Sequence, residues 1–239
     1  MHFAVWSGPR NISTAMMRSW ENRTDCFVCD EPLYAHYLNE TGLDHPGAEE
    51  VIASQDTDWR AVVDWLTNSI PAGKSVFYQK HMAHHLLPDI ELDWLDKLDH
   101  ALLIRQPSEM VTSLIDFIPS PVLTDTGLPQ QLKLLNHLKA IGRPAMVIEA
   151  REVLDNPAAM LTAICEKVGI EFQPSMLQWS AGKRDTDGVW AKYWYDKVEQ
   201  TTGFARYRPK NISVPDDLVE LVSECNEIYE QLYALRIRV

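Results

Sequence analysis

Five short apolar runs, at residues 3–6, 26–29, 75–78, 101–104 and 145–148, recur along the chain between polar and turn-forming stretches. Each is four residues long, and apolar residues follow one another without a polar alternate, the pattern of strands covered on both faces. Between them the apolar spacing changes to that of helices, over residues 58–69, 108–117, 130–141 and 157–168. Pro107 and Pro157 stand where a first-turn proline fits, while Gly142 and Gly169 stand where a helix stops. A last helical face, Leu218, Leu221, Val222, Cys225, Ile228, Tyr229, Leu232 and Leu235, marks a long amphipathic helix at about residues 215–236. Residues 39–55 are acidic and turn-rich and residues 182–188 polar, so both read as surface loops or lids.

Strands alternating with helices imply βαβ units. The expected fold is a three-layer α/β/α arrangement with a mostly parallel central sheet and a P-loop-like strand-loop-helix at its start, one domain over residues 1–239. In such sheets ligands collect beyond the carboxyl ends of the strands. Three of the predicted ends carry chemistry: Ser7 to Thr14 after the first strand, Gln79-Lys80-His81 after the third, and Arg105 after the fourth.

Composition narrows the ligand. With 22 Lys and Arg against 34 Asp and Glu, the formal charge is −12, which disfavours nucleic acid as a partner because no basic face is available to replace its counterions. An anion must instead be held by a local cluster of cations and helix amides. No apolar stretch reaches membrane-spanning length and no signal-peptide pattern is visible, so a cytoplasmic, membrane-free protein is expected. Of the four cysteines only Cys26 and Cys29 are close, and on a strand an i, i+3 pair points to opposite faces. Free thiols and no metal are the expectation.

The first strand end supplies that local cluster. Gly8 and Pro9 shape a turn, Arg10 adds a cation, and Asn11 and Ile12 lead to a helix that opens at Ser13 or Thr14. The unpaired amides of a helix's first turn, with its dipole, stabilise a phosphate there. The spacing is not that of a nucleotide-triphosphatase loop: Ser13 stands where that motif has its second Gly and Thr14 where it has its Lys. At the fourth strand end, Arg105 is followed eight positions on by Ser113, a guanidinium and a hydroxyl able to share one phosphate. At the third, His81 directly follows the strand and can be aimed into the cleft as a general base, whereas His84 and His85 read as surface or packing residues.

Taken together these segments resemble the sulfotransferases that use 3′-phosphoadenosine 5′-phosphosulfate (PAPS). Ser7-Gly8-Pro9-Arg10-Asn11-Ile12-Ser13-Thr14 resembles their 5′-phosphosulfate loop. Residues 81–88 match the family's K-T-H-x-x-x-x-L-L-P run from the His onward, with Gln79 in place of its Lys and Lys80 in the next position. Arg105 and Ser113 reproduce the 3′-phosphate spacing, and residues 148–170 resemble a further family stretch. The resemblance implies metal-free transfer of a sulfuryl group from PAPS, as co-substrate, to a hydroxyl or amine of a small-molecule acceptor. It also implies His81 as general base, Arg10, the loop amides and Lys80 on the developing charge, and Arg105 with Ser113 on the 3′-phosphate. The family's C-terminal R-K-G loop is not recognisable, with Arg206, Arg208 and Lys210 as candidates, and the aromatic run at residues 187–204 fits an acceptor-pocket wall or a core. A P-loop kinase or other ATP-dependent transferase and a non-catalytic nucleotide-binding module are the competing classes. Acceptor identity and oligomeric state stay open.

Overall fold

The computed structural model describes residues 1–208 and 213–239. Its sheet has five parallel strands, β1 His2–Ser7, β2 Cys26–Asp30, β3 Val76–Met82, β4 Asp99–Ile104 and β5 Met146–Glu149, in the order β2-β3-β1-β4-β5. Phe3, Ala4, Val5 and Trp6 are all fully buried, which is why the central strand is apolar throughout rather than alternating.

Among the described residues there are eleven α-helices: α1 Ser13–Glu21, α2 Tyr34–Thr41, α3 Ala48–Ser54, α4 Trp59–Thr67, α5 Pro107–Leu114, α6 Leu128–Ala140, α7 Ala150–Asp155, α8 Pro157–Lys167, α9 Ala191–Trp194, α10 Asp196–Glu199 and α11 Val219–Tyr233. Local sequence sets many of their ends. Asp58 caps α4 by accepting from the Arg60 amide at 3.0 Å, and Asn156 caps α8 by accepting from Ala159 at 3.2 Å, ahead of Pro157 in the first turn. Gly169, with φ +74°, closes α8, and the next amide, Ile170, donates back to Cys165.

The two sheet faces bury separate cores. Phe3, Val5, Val28, Tyr78 and Leu103 pack under α1 and α8, with Met16, Met17, Trp20, Leu161 and Ile164. Ala4, Trp6, Phe77 and Leu102 pack under α4, α5, α6 and α11, so the apolar face of the last helix is spent on the body of the protein. A third, smaller cluster of Tyr34, Tyr37, Leu38, Val51, Trp190 and Tyr195 joins α2, α3 and the start of α9 beyond the end of β2.

Two expectations change. Residues 39–55, read as a loop, contain the end of α2 and all of α3. More consequentially, β3 continues to Met82 in register with β1, so Gln79, Lys80 and His81 belong to the strand rather than follow it.

Candidate active site

The order of the sheet reverses at β1, and the carboxyl ends of β3, β1 and β4 therefore lie side by side. Above them the chain from Ser7 to Ser13 forms a tight loop. A Cβ on Gly8 would stand 2.1 Å from the backbone oxygen of Thr126, so only glycine lets these two backbones approach. Arg10 takes the left-handed φ of +58°, and Asn11 donates to the Leu103 carbonyl at 2.9 Å, fastening the loop to β4. No side chain caps the first turn of α1 and no acid stands in it. The Ser13 and Thr14 hydroxyls are thus not spent as caps, and the amide end of α1 opens on a cavity of about 330 Å³ whose wall includes Pro9 to Ala15.

At the other end of the loop, Arg105 donates from Nη1 to the Arg10 carbonyl at 2.6 Å, and Arg10 donates from Nε to Ser113 Oγ at 3.1 Å. The Arg105 guanidinium thus points to the loop, and Arg10, Arg105 and Ser113 form one group. Burial, then the Arg105 charge, holds the Arg10 guanidinium below its usual range, as expected where two cations are kept together for an anion. Glu109 shares the group, paired with Arg105 at 2.8 Å and accepting from Tyr207 Oη at 2.5 Å. Arg206 and Arg208 are exposed and Lys210 lies outside the described residues, so no residue is selected as the loop that closes on this end.

His81 is not brought to the cleft. Because β3 runs to Met82, alternation turns Lys80 to the α1 side of the sheet and His81 to the opposite core. His81 is 1% exposed, stacks on Trp6 with ring centroids 4.1 Å apart, and its Nε2 lies 3.3 Å from Gln79 Oε1. Burial lowers its pKa to about 3. Gln79 is on the same face and donates to the Leu66 carbonyl at 2.8 Å. The match to the family's His run is therefore one of sequence register only. Met82 and, beyond it, His84 and His85 are the members of this segment on the cavity wall.

Lys80 does line the cavity, but all three donors of its ammonium are taken. They go to Asp30 Oδ1 at 2.7 Å, Glu31 Oε1 at 2.5 Å and Tyr195 Oη at 2.8 Å. Asp30 is held further: Tyr195 Oη donates to its Oδ2 at 2.7 Å and the Gly188 amide donates at 3.2 Å. The two carboxylates hold Lys80 charged against burial. Glu31 occupies a left-handed conformation, φ +43°, which a side-chain-bearing residue rarely adopts. Its amide donates to the Lys80 carbonyl at 2.8 Å, and its carbonyl accepts from the Tyr34 amide and from Gln55 Nε2. These bonds over-determine the conformation and put the carboxylate on the cavity wall.

The rest of the wall is aromatic. Tyr34 and Tyr37 stack on His85 at 4.5 and 4.7 Å, Tyr34 Oη lies 2.9 Å from His45 Nδ1, and Trp190 and Trp194 close the side from α9. Burial lowers the pKa of His84 to about 3 and holds that of His85 well below the usual imidazole value, so both imidazoles are neutral here.

An open helix amide end, a two-guanidinium group beside it and an adjoining aromatic chamber are the parts of a group-transfer site. The model described as "Sulfotransferase domain" matches residues 1–230. The chain belongs to the sulfotransferase domain family. Among solved structures, the sulfotransferase domain from the curacin biosynthetic pathway superposes with a TM-score of 0.59 at 18% identity, covering 97% of this chain and 96% of that one. A sulfotransferase from Alicyclobacillus acidocaldarius gives 0.57 at 12% identity, covering 99% and 96%. At these identities the likeness is one of fold. Two Arabidopsis thaliana proteins, branched-chain-amino-acid aminotransferase-like proteins 2 and 1, are 33% and 34% identical over 228 residues, or 95% of this chain. The chain spans about 40% of the length of these curated relatives.

Within this sulfotransferase domain, sequence reasoning missed the second strand end. Cys26–Asp30 is followed by Glu31 and Pro32, so an acid pair closes β2 just as cations close its neighbours. The signal was the same one used at the other three strand ends. Tyr34, Tyr37, His45 and His85 carried no such mark, because their approach to the cavity depends on how α2 and residues 42–47 fold over it.

Proposed function

We propose that the domain transfers a sulfuryl group from PAPS to a hydroxyl or amine of a small-molecule acceptor. The observation that carries the reading is the pairing of an uncapped α1 amide end with the Arg10–Arg105–Ser113 group across one short loop, two anion sites suited to the two phosphorylated ends of one nucleotide. The residues present fit such a donor. The α1 amides and Arg10 take the 5′-phosphosulfate, Arg105 and Ser113 take the 3′-phosphate, and Ile12, Leu154 and Phe204, on the same cavity wall, offer apolar surface to the adenine.

The donor supplies an activated sulfuryl group and a phosphate leaving group. The protein's task is to neutralise charge that moves onto that phosphate, and fixed amides and a guanidinium do this without reorganising. Lys80, with its donors engaged by Asp30, Glu31 and Tyr195, positions that cluster rather than the donor. The aromatic chamber of Tyr34, Tyr37, Trp190 and Trp194 is the acceptor side, and its apolar walls suit a largely apolar molecule with one reactive group.

The test is differential binding. Adenosine 3′,5′-bisphosphate is expected to raise the thermal midpoint well above ADP or ATP at equal concentration, since a ligand bound by the native state alone stabilises it in proportion to its affinity. Equal or greater stabilisation by ATP with Mg²⁺ would contradict the reading and favour an ATP-dependent transferase. Stabilisation by the bisphosphate without transfer of labelled sulfate to any member of a phenol, alcohol and amine panel would leave a binding module.

A further inference from the structure

With His81 buried against Trp6, the reaction proposed above needs another group to accept the acceptor's proton. We infer that Glu31 is that group, the general base of the site. The inference rests on the sulfuryl-transfer reading and adds to it a residue and a role.

Charge arithmetic in the cluster comes first. Asp30, Glu31 and Lys80 are all buried, at 6, 8 and 1% exposure, and two carboxylates share one ammonium. With all three ionised the cluster carries a net negative charge inside the protein, and one added proton makes it neutral, the state a low-dielectric site favours. The hydrogen bonds decide where that proton goes. Asp30 has both oxygens engaged, accepting from Lys80, Tyr195 and the Gly188 amide. Glu31 is held by Lys80 and faces the cavity. Lys80 keeps its bonds to Asp30 and Tyr195 when Glu31 is protonated, so the cluster survives the change. Burial, opposed by Lys80 and reinforced by Asp30, places the Glu31 carboxyl above its usual range, which brings it toward the working pH of a base. The charged and titratable groups facing it are Lys80 from β3, Asp30 from β2, Tyr34 from α2 and Tyr195 beside α9.

Geometry points the same way. Glu31 lines the same cavity as Pro9 to Ala15 and as the acceptor-side residues Tyr34 and Tyr37, so donor and acceptor would share one space with its carboxylate. The φ of +43° is held by three hydrogen bonds to the Glu31 backbone, from it to Lys80 and to it from Tyr34 and the Gln55 side chain, which fix where the carboxylate stands. In the step, the acceptor oxygen or nitrogen forms a bond to sulfur while its proton passes to the Glu31 carboxylate. The bond from sulfur to the bridging oxygen breaks, and its electron pair leaves on the 5′-phosphate of adenosine 3′,5′-bisphosphate.

Two acceptors of different acidity separate a base from a merely structural residue. 4-Nitrophenol, already largely ionised in mildly alkaline buffer, needs no base, whereas 2-phenylethanol does. For Glu31→Gln, kcat with 2-phenylethanol is expected to fall by about 10²- to 10⁴-fold. With 4-nitrophenol it should fall less than about tenfold, and affinity for the bisphosphate should stay within about twofold of wild type. Glu31→Asp should recover part of the alcohol activity, and the acidic limb of the wild-type pH profile should vanish in Glu31→Gln. Equal losses with both acceptors would overturn the assignment, as would wild-type activity in Glu31→Gln or the acceptor-selective loss appearing instead in His84→Gln or His85→Gln. Failure of the underlying reading looks different: wild-type protein would then neither bind the bisphosphate nor transfer sulfate to either acceptor, and Glu31 would fall with it.

Discussion

The cavity has two charged ends built in opposite ways. At the α1 end, positive potential comes from backbone amides and from Arg10 and Arg105, and part of it is left open toward the cavity. At the β2–β3 end, Asp30, Glu31, Lys80 and Tyr195 satisfy one another almost completely and are buried to 8% exposure or less. The open end is ready for a ligand that brings its own negative charge. With both carboxylates ionised, the closed end carries one excess negative charge and can receive a proton. A cavity that must both grip a leaving phosphate and accept a proton benefits from keeping these two tasks on different strands.

The sharpest way to break this contrast is to remove the one cation of the closed end. Lys80→Met leaves Asp30 and Glu31 buried without a counter-charge, and a loss of about 3–5 kcal/mol in urea denaturation is expected. Restoring neutrality with Asp30→Asn and Glu31→Gln in the same chain should return most of it.

A smaller effect concerns Glu149, at the end of β5. Burial, reinforced by the charges of Glu152 and Glu109, raises its carboxyl to about 7. Because that value lies above the ordinary carboxylate range, its contribution to stability is fully present in acid, below about pH 4.5, and is lost as the pH rises through 7. Wild type should therefore lose about 3 kcal/mol relative to Glu149→Gln across that window, read from denaturation midpoints at several pH values. The Gln oxygen can still accept from the Glu152 amide, so the cap of α7 is kept.

At the open end, Arg105→Ala should weaken adenosine 3′,5′-bisphosphate by about 1.5–3 kcal/mol in a calorimetric titration, the range for a hydrogen bond to a charged group. Equal affinity in both proteins would separate Arg105 from the nucleotide. The smallest effect is expected outside both ends. His81→Gln loses the stack on Trp6, about 1 kcal/mol of stability, while turnover stays within a few-fold of wild type. Abolished turnover in a folded His81→Gln protein would return that residue to the reaction and dissolve the two-ended picture.

Much of the architecture and of the open end was legible because the information is local. A strand, a glycine turn and a helix start occupy residues 2–21 without interruption, and Arg105 and Ser113 are one strand end and two helical turns of a single segment. Even the fixing of the loop by Gly8 has a local sign, although its cause, the Thr126 carbonyl, is more than a hundred residues away. The expectation that His81 follows its strand was overturned by one structural detail: the apolar run ends at Tyr78, but the strand continues four residues to Met82. Because strand side chains alternate, the extended strand turns the histidine into the core and presents Lys80 to the cleft instead.

What the chain determined by itself was therefore everything carried by short-range pattern: apolar runs that must be covered on both faces, helix starts and stops, and a loop whose amides need no distant partner to attract an anion. What only the tertiary structure decided was which buried charges meet. Asp30 and Glu31, Lys80 and Tyr195 come from segments up to 165 residues apart, and a buried ionic group is defined by its neighbours and by the water they exclude. Neither quantity is written in the residue that carries the charge.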